Sequence, residues 1–244
     1  MQAIINSGKY KITEVLKSHF GYEAMLCSDV TVNSNGLYIV NRYSEQAYIR
    51  ELLILFYDME KKRVASFCGL ASASGSFDVI FKYHKGVPFD EYYSECSKDY
   101  EKTIKYADSL LRCALEFDLT DDRIAACGLT TENVVIDTID ERVYFNMMLD
   151  PDVSGSGNFR TERLGEMLNR MFERNRYLPD VISDFIDKLS DGEFKSCSAA
   201  YAEWRSIQSA AEKMHKEYLK ESILKYLGRR AKKKIKKQRK RKRA

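Results

Sequence analysis

The sequence predicts an α+β chain of two lobes, and three observations lead to this fold class. Strand-like runs with one helical segment fill the first 86 residues, helical periodicity dominates after Pro88, and one short strand pair interrupts those helices. A chain of 244 residues is long enough for two small lobes that share a cleft. We therefore expect one lobe over residues 1–86, a second over 87–205, and a C-terminal helix and tail over 206–244.

The first lobe is predicted to contain five strands and one helix. Runs rich in β-branched and aromatic residues predict the strands, and apolar residues at three- and four-residue spacing predict the helix. The strands are expected over 10–16, 24–32, 37–43, 64–71 and 77–83, and the helix over 45–59. Asn35-Gly36 between two such runs is typical of a hairpin turn.

The second lobe is predicted to be mainly helical. Helical periodicity covers 100–117, 161–174 and 179–189, and a long helix is expected from Ser198 to the end of the chain. Two short strands, 134–139 and 143–148, are joined by a turn at Asp140–Arg142. The glycine- and serine-rich stretch 154–158 predicts a loop.

The composition favours a globular protein without a metal or cofactor. Hydrophobic residues make up 44% and charged residues 31% of the chain, and no stretch approaches the ~20 apolar residues of a membrane-spanning helix. The start does not resemble a signal peptide, so we expect a cytoplasmic location. The six cysteines form no CxxC pair and the three histidines have no ligand spacing, so reduced thiols and no zinc site are expected.

Five local motifs occur in an order that resembles the protein kinase superfamily, over roughly residues 9–205. They are similar to the first strand (Tyr10–Leu16), the helix with the ion-pairing glutamate (Arg50–Leu55, with Glu51), the interlobe hinge and next helix (Phe81–Tyr93), the second half of the catalytic loop (Leu129–Val135) and the start of the central helix (Arg163–Gly165). The resemblance implies a bilobal protein-kinase-like fold. It also implies that Asn133 matches the magnesium-binding asparagine of the catalytic loop.

The groups that phosphoryl transfer requires are missing at the matching positions. Kinases need a glycine-rich loop over the phosphates, a lysine on them, an aspartate at the attacking hydroxyl and an aspartate on Mg²⁺. Asn41 stands at the lysine position, and strand alternation turns the neighbouring Arg42 to the other face. Gly128 stands at the catalytic aspartate, and Met147-Met148-Leu149 replaces the metal-binding motif.

Further departures affect the loop over the phosphates and the support of the catalytic loop. The segment Leu16–Ala24 keeps only Gly21 of the glycines, and Lys17 and His19 bring side chains into a region where small residues are needed. Arg160 stands where the central helix normally supplies a bracing aspartate. The resemblance therefore implies a degenerate kinase, a pseudokinase.

Three residues remain as candidates for binding a cofactor: Glu51, Asn133 and Asp150, the last lying one residue beyond the expected metal-binding position. Each has an alternative interpretation. Glu51 fits a solvated helix residue equally well, and Asn133 fits a turn residue whose side chain bonds the nearby backbone. For Asp150 the alternative is that no shift of the loop brings it into the site.

The C-terminus carries a strongly basic tail on an otherwise acidic body. The tail residues that we predict to bind an anionic surface are Arg229, Arg230, Lys232, Lys233, Lys234, Lys236, Lys237, Arg239, Lys240, Arg241, Lys242 and Arg243. Without these twelve, 28 basic residues remain against 36 acidic ones, a net charge of about −8. The alternatives are adsorption to anionic lipid, binding of nucleic-acid phosphates, or a solvated disordered tail.

A second resemblance concerns the membrane-anchored pseudokinase subunit of bacterial type VII secretion systems. His84–Phe89 is similar to a hinge element of that family, and a basic stretch follows the kinase-like domain in both. The given sequence departs from that family in showing no transmembrane helix after the basic run, so either the chain has been cut there or the relation is only at the level of the superfamily. The leading hypothesis is an inactive scaffold that binds a protein partner and associates peripherally with a membrane. The alternatives are an atypical ATP-binding kinase or transferase with a rearranged site, and a nucleic-acid-associated protein.

Overall fold

The computed structural model describes residues 4–5, 9–31, 36–62, 64–73, 75–221, 225, 228 and 231–232. The N-terminal lobe is an antiparallel sheet of six strands with one helix. The strands are β1 Ile4–Ile5, β2 Tyr10–His19, β3 Tyr22–Asp29, β4 Leu37–Tyr43, β5 Phe67–Ala73 and β6 Ser76–Lys82, and the helix is α1 Gln46–Lys62. Their order across the sheet is β1-β2-β3-β4-β6-β5, so β4 lies near its centre.

Alternation along β4 explains how the sheet is covered on both faces. Ile39 and Tyr43 belong to the main core, where Tyr43 packs on Phe56 of α1 with ring centroids 5.7 Å apart. Val40 belongs to a smaller cluster on the opposite face. The prediction that Arg42 faces away from Asn41 is confirmed, because its guanidinium pairs with Asp78 on that opposite face at 2.9 Å.

The C-terminal lobe is mainly helical. Its helices are α2 Phe89–Cys96, α3 Tyr100–Cys113, α4 Asp122–Gly128, α5 Phe159–Phe172, α6 Asp180–Ser190 and α7 Cys197–Tyr218, with 3-10 turns at Ala114–Leu119 and Thr131–Asn133. A small antiparallel sheet, β7 Val87–Pro88, β8 Val134–Asp137 and β9 Arg142–Phe145, lies at the cleft between the lobes.

Side-chain caps fix where several of these helices begin. The Asp99 carboxylate accepts from the Lys102 N–H at α3, and the Ser196 hydroxyl accepts from the Ala199 N–H at α7. Asp118 accepts from the first two N–H groups of α7 at 2.8 and 2.7 Å, which ties that helix to the 3-10 turn after α3. The central helix α5 packs so closely on α6 that a Cβ at Gly165 would lie 2.6 Å from the Ser190 nitrogen.

The prediction of a five-stranded N-terminal lobe is confirmed, and β1 adds a short sixth strand at the edge of its sheet. The five predicted strands and the helix are present, with bounds shifted by a few residues. Of the predicted turn at Ser34-Asn35-Gly36, the first two residues lie outside the described part of the chain. All six cysteines are free thiols, as expected.

In the C-terminal lobe, the predicted helix 100–117 is α-helical only to Cys113 and then tightens into a 3-10 turn. Helix α4 was not predicted at all. The predicted strand 143–148 ends at Phe145, and the expected boundary between 205 and 206 falls inside α7. Beyond residue 221 only four positions are described, and all four are helical. None of the described helices is long and apolar enough to cross a membrane.

Candidate functional site

Asn41 lies at the centre of the contact between the lobes, and its side chain is completely buried. Its amide nitrogen donates to the Met147 carbonyl at 2.8 Å. Its Oδ1 accepts from the Tyr22 hydroxyl at 2.8 Å and from the Leu149 N–H at 2.7 Å. The residue predicted to stand at the kinase lysine position therefore binds the backbone of the segment predicted to replace the metal-binding motif.

Two tyrosines complete this contact. The Tyr43 hydroxyl donates to the Leu149 carbonyl at 2.7 Å, and the Tyr22 and Tyr43 ring centroids lie 5.4 Å apart. Both rings are buried, and burial is the main reason why the pKa of each hydroxyl lies above its ordinary value. Hydrogen-bonded aromatic side chains of the N-terminal lobe thus fill the space beside Asn41.

Gly128, which the sequence resemblance places at the catalytic aspartate, has no room for a side chain. Gly128 ends α4, and a Cβ there would lie 2.6 Å from Cε1 of Phe117 and 3.0 Å from Cε of Met147. Both of these neighbours are buried, so neither can swing into solvent. The segment is braced from α5 by Arg163, which donates to the carbonyls of Ala126 and Leu129.

Arg160, predicted at the place of the bracing aspartate, also holds this region. Its guanidinium donates to the carbonyls of Phe117 and Thr120 and pairs with Asp122 at the start of α4. Arg160 thus joins the start of α5 to the 3-10 turn after α3 and to the start of α4 by donating hydrogen bonds, whereas the aspartate that the resemblance implies would accept them.

Asn133 is buried and its hydrogen-bonding groups are engaged within the protein. Its amide nitrogen lies 3.0–3.1 Å from the carbonyls of Cys127, Gly128 and Met148, and its Oδ1 accepts from the Met148 N–H at 2.9 Å. These contacts match the turn-residue interpretation. The side chain joins the end of α4 to the segment after β9.

Glu51 has its partner on α4. Its carboxylate pairs with Arg123 of α4 at 2.8 Å, and the side chain is 59% exposed. An exposed pair of this kind contributes little to stability, about 0–1 kcal/mol. The sequence brought Glu51, Asn133 and Asp150 together as one candidate site, whereas the structure gives each different partners.

The Asp150 carboxylate is contacted by two basic side chains of the β2–β3 hairpin, Lys17 and His19. Lys17 Nζ lies 3.1 Å from its Oδ2, and His19 Nε2 lies 3.0 Å from its Oδ1. Lys17 also reaches Glu132 at 3.0 Å, and a second carboxylate, Asp152, lies 3.7 Å from His19 Nδ1. The hairpin that would cover phosphates in a kinase therefore contacts the protein's own carboxylates.

These contacts shift the pKa values of Asp150 and Lys17. Burial alone would raise the pKa of the Asp150 carboxyl, but hydrogen bonds from the Asp152 N–H, Lys17 and His19 outweigh it and lower the pKa. Burial alone would lower the pKa of the Lys17 ammonium, but Glu132 and Asp150 raise it overall. Asp150 is therefore an ionised carboxylate at neutral pH.

The same cluster is the group of described residues that could hold a metal ion. One ligand atom each from His19, Asp150 and Asp152 lies within 4.8 Å of the others. A histidine with two carboxylates suits a divalent transition metal. The Lys17 ammonium already neutralises Asp150 from 3.1 Å, so a cation would have to displace it.

Asn146, just after β9, forms hydrogen bonds with the backbone of the hinge between the lobes. Its Oδ1 accepts from the His84 N–H at 2.8 Å, and its amide nitrogen donates to the His84 carbonyl at 3.0 Å. The His84 imidazole also stacks on Tyr144 with centroids 4.1 Å apart. Both backbone groups of His84 are thus occupied by the protein itself.

Comparison with solved structures identifies this architecture. The structure of Rad53 1-466 in complex with AMP-PNP superposes with a TM-score of 0.57 at 13% identity, over 81% of this chain and 65% of the Rad53 chain. The Mycobacterium tuberculosis PknI kinase domain superposes with a TM-score of 0.54 at 10% identity, over 83% of this chain and 97% of that one. The fold is protein-kinase-like.

At these identities the likeness shows the fold alone. No protein-family model matches the chain, and no curated protein matches its sequence. The chain spans 65% of the length of the Rad53 chain. The predicted α+β bilobal fold is confirmed, and the kinase-like N-lobe and C-lobe meet at the contacts of Asn41, Tyr43 and Asp150 described above.

The residues of this site that sequence reasoning missed include Tyr22, Tyr43 and Asn146 in the contact between the lobes, and Glu132 and Asp152 in the cluster around Asp150. For Tyr43 a signal existed, because alternation along β4 places it on the same face as Asn41. Nothing local distinguishes Asn146, whose partner lies 62 residues away. Of the predicted basic tail only Lys232 is described, as an exposed helical residue, and its other basic residues lie outside the described part of the chain.

Proposed function

We propose that this chain is a catalytically inactive pseudokinase that acts as a protein-binding scaffold. One observation carries the proposal. Asn41, predicted at the position of the nucleotide-binding lysine, is buried, and its side-chain amide is hydrogen-bonded to Tyr22, Met147 and Leu149. A nucleotide would have to break these contacts before it could enter. The blocked side-chain space at Gly128 supports the same conclusion, since no general base for a substrate hydroxyl fits there.

The experiment is a thermal-shift and calorimetric titration with ATP, alone and with Mg²⁺ or Mn²⁺. A ligand that binds the folded state stabilises it by about 2.7 kcal/mol at a hundredfold excess over Kd. We expect no shift up to millimolar nucleotide, while an active kinase run in parallel shifts. Each metal without nucleotide forms a separate arm, so that cation binding at His19, Asp150 and Asp152 is not mistaken for nucleotide binding.

The second candidate is an atypical nucleotide-binding kinase or transferase. The observation that favours it is the cluster around Asp150, which combines two carboxylates with an imidazole. This candidate predicts a metal-dependent shift with ATP that disappears in Asp150→Ala and in Asn133→Ala. Such a result would overturn the scaffold proposal and direct the work to transferase assays.

For the basic tail we propose binding to an anionic membrane surface, each basic residue near the surface contributing about 1 kcal/mol. Co-sedimentation with vesicles of anionic or neutral lipid compares the full chain with a chain ending at Gly228. Retention on anionic vesicles that is lost on truncation supports the proposal. Equal binding to both vesicle types contradicts it, and steeply salt-dependent binding to DNA or RNA alone would favour the nucleic-acid alternative.

The resemblance of His84–Phe89 to the type VII secretion subunit suggests the class of partner: another component of a membrane-bound secretion assembly. This rests on a short motif and on the order of kinase-like domain and basic segment. Reconstitution with candidate components, with the full chain and with the truncated chain, tests it. If neither the full chain nor the truncated chain binds any of these components, the proposal is contradicted.

A further inference from the structure

Helix α1 carries a second apolar face that points away from the core. Leu52, Phe56 and Met59 are buried against the lobe. Leu53, Ile54 and Tyr57 lie on the other side and are 42%, 68% and 53% exposed. A helix that is apolar on two opposite sides is typical of one buried on both sides, so the outer face requires a cover.

The other residues of this outer face flank the Leu53-Ile54 pair at equal distances on its two sides. Arg50 precedes the Leu53-Ile54 pair by three residues, and Tyr57 follows it by three; Gln46 and Lys61 stand at equal distances farther out. In an antiparallel pair of such helices, Leu53 therefore meets Ile54 and Arg50 meets Tyr57 on both sides of a two-fold axis. The face is complementary to itself, which an isologous interface requires.

The charges favour that antiparallel arrangement. Arg50 is exposed and would lie over the ring of the opposite Tyr57, a cation–π geometry, next to the half-exposed carboxylate of the opposite Asp58. In the single chain Lys61 lies 4.5 Å from that ring centroid and 3.9 Å from that carboxylate, so Arg50 of the second copy would share both groups with it. The two Arg50 side chains would then stand seven residues apart along the axis, about 10 Å. A parallel pair would instead place Arg50 against Arg50 and Lys61 against Lys61.

We propose that α1 is a homodimerisation surface, occupied by α1 of a second copy of this chain in antiparallel orientation, with the two-fold axis between Leu53 and Ile54. One pair of helices buries less than the roughly 1,200 Å² of a standard stable interface. The dimer is therefore weak, with a dissociation constant in the micromolar range. The surface lies outside the cleft, so dimerisation does not depend on whether nucleotide binds.

Sedimentation velocity of the full chain from about 1 to 300 µM tests the proposal. We expect a concentration-dependent dimer whose dissociation constant rises at least tenfold in Ile54→Glu. The matched control is Ile139→Glu, which places the same charge on a 91% exposed isoleucine in the C-lobe turn after β8. The control should dimerise like the original chain, and both variants should keep its melting temperature.

The orientation is tested by oxidative cross-linking of single cysteines, in a chain whose exposed Cys68 has been replaced by serine. Ile54→Cys should form disulfide-linked dimers. Gln46→Cys alone should not, because its two copies would stand about 22 Å apart, whereas a mixture of Gln46→Cys and Lys61→Cys should link. A chain that stays monomeric throughout, an Ile54→Glu variant that dimerises normally, or linking of Gln46→Cys to itself each overturns the proposal. A chain that stays monomeric would mean that the outer face of α1 binds a different protein.

Discussion

The contact of Asn41 with the C-lobe can be tested by replacing it with leucine, which has nearly the same size and cannot hydrogen-bond. The substitution removes three bonds of 2.7–2.8 Å and leaves the Tyr22 hydroxyl, the Leu149 N–H and the Met147 carbonyl without this partner. Each buried polar group that loses its partner costs about 1–3 kcal/mol. Burial of the apolar leucine offsets part of this, so we expect a loss of about 3–5 kcal/mol.

Urea denaturation of the original chain and of Asn41→Leu at pH 7 measures the free energy of unfolding. The control is Asn169→Leu, at an exposed position of α5, which should change stability by about 0.5 kcal/mol or less. A loss below about 1 kcal/mol for Asn41→Leu would refute the reasoning, because it would mean that these bonds do not hold the lobes together. Gain of ATP binding in the same variant would instead show that the asparagine alone excludes nucleotide.

The other predictions concern three further positions. The pKa of the Asp150 carboxyl is lower in the folded protein than in the unfolded chain. Its contribution to stability is therefore complete above the unfolded-state pKa, about 4, and is lost as the pH falls through the folded-state pKa. The difference in unfolding free energy between the original chain and Asp150→Asn should shrink on acidification. Gly21→Ala should destabilise more than Gly75→Ala by about 1–3 kcal/mol, since both have φ near +79° but only at Gly21 would the new Cβ meet another atom, Glu45 Cβ, at 2.6 Å. Gly128→Asp, which restores the kinase residue, should lower stability by about 1–3 kcal/mol through overpacking, without phosphoryl transfer to a generic substrate.

Each of these has a result that would contradict it. A stability difference for the Asp150 variant that is constant between pH 7 and pH 3 would show that the carboxylate is not stabilised by its neighbours. Equal melting temperatures for the two glycine variants would mean that the hairpin tip yields without cost. Transfer of radiolabelled phosphate by Gly128→Asp would show that the cleft admits ATP, against the proposed function.

Most of the fold could be predicted from periodicity, because the spacing of apolar residues along the sequence distinguishes strands from amphipathic helices. Alternation along β4 correctly separated Asn41 from Arg42. Helix α4 was not predicted because seven residues are too few for periodicity to reveal a helix, so that only local signals indicate it. Those signals were present, with Asp121 as N-cap and two alanines in the helix.

The site itself was less predictable, since its contacts join distant parts of the chain. Lys17 and His19 were recognised as unsuited to a phosphate loop, but their partner Asp150 lies more than 130 residues away. Glu51 was paired with the lysine position by analogy, whereas the structure turns it to Arg123. A sequence shows which groups are missing from a motif, but only the folded chain shows what fills their place.

The hinge contacts of Asn146 have a consequence for how the protein denatures. His84 is held at the back of the cleft by two hydrogen bonds, while Asn41 and Tyr43 bind the C-lobe at its centre. Neither lobe can melt without exposing polar groups that the other lobe had satisfied. The two lobes should therefore unfold as one cooperative unit, giving a single calorimetric transition whose van't Hoff and calorimetric enthalpies agree.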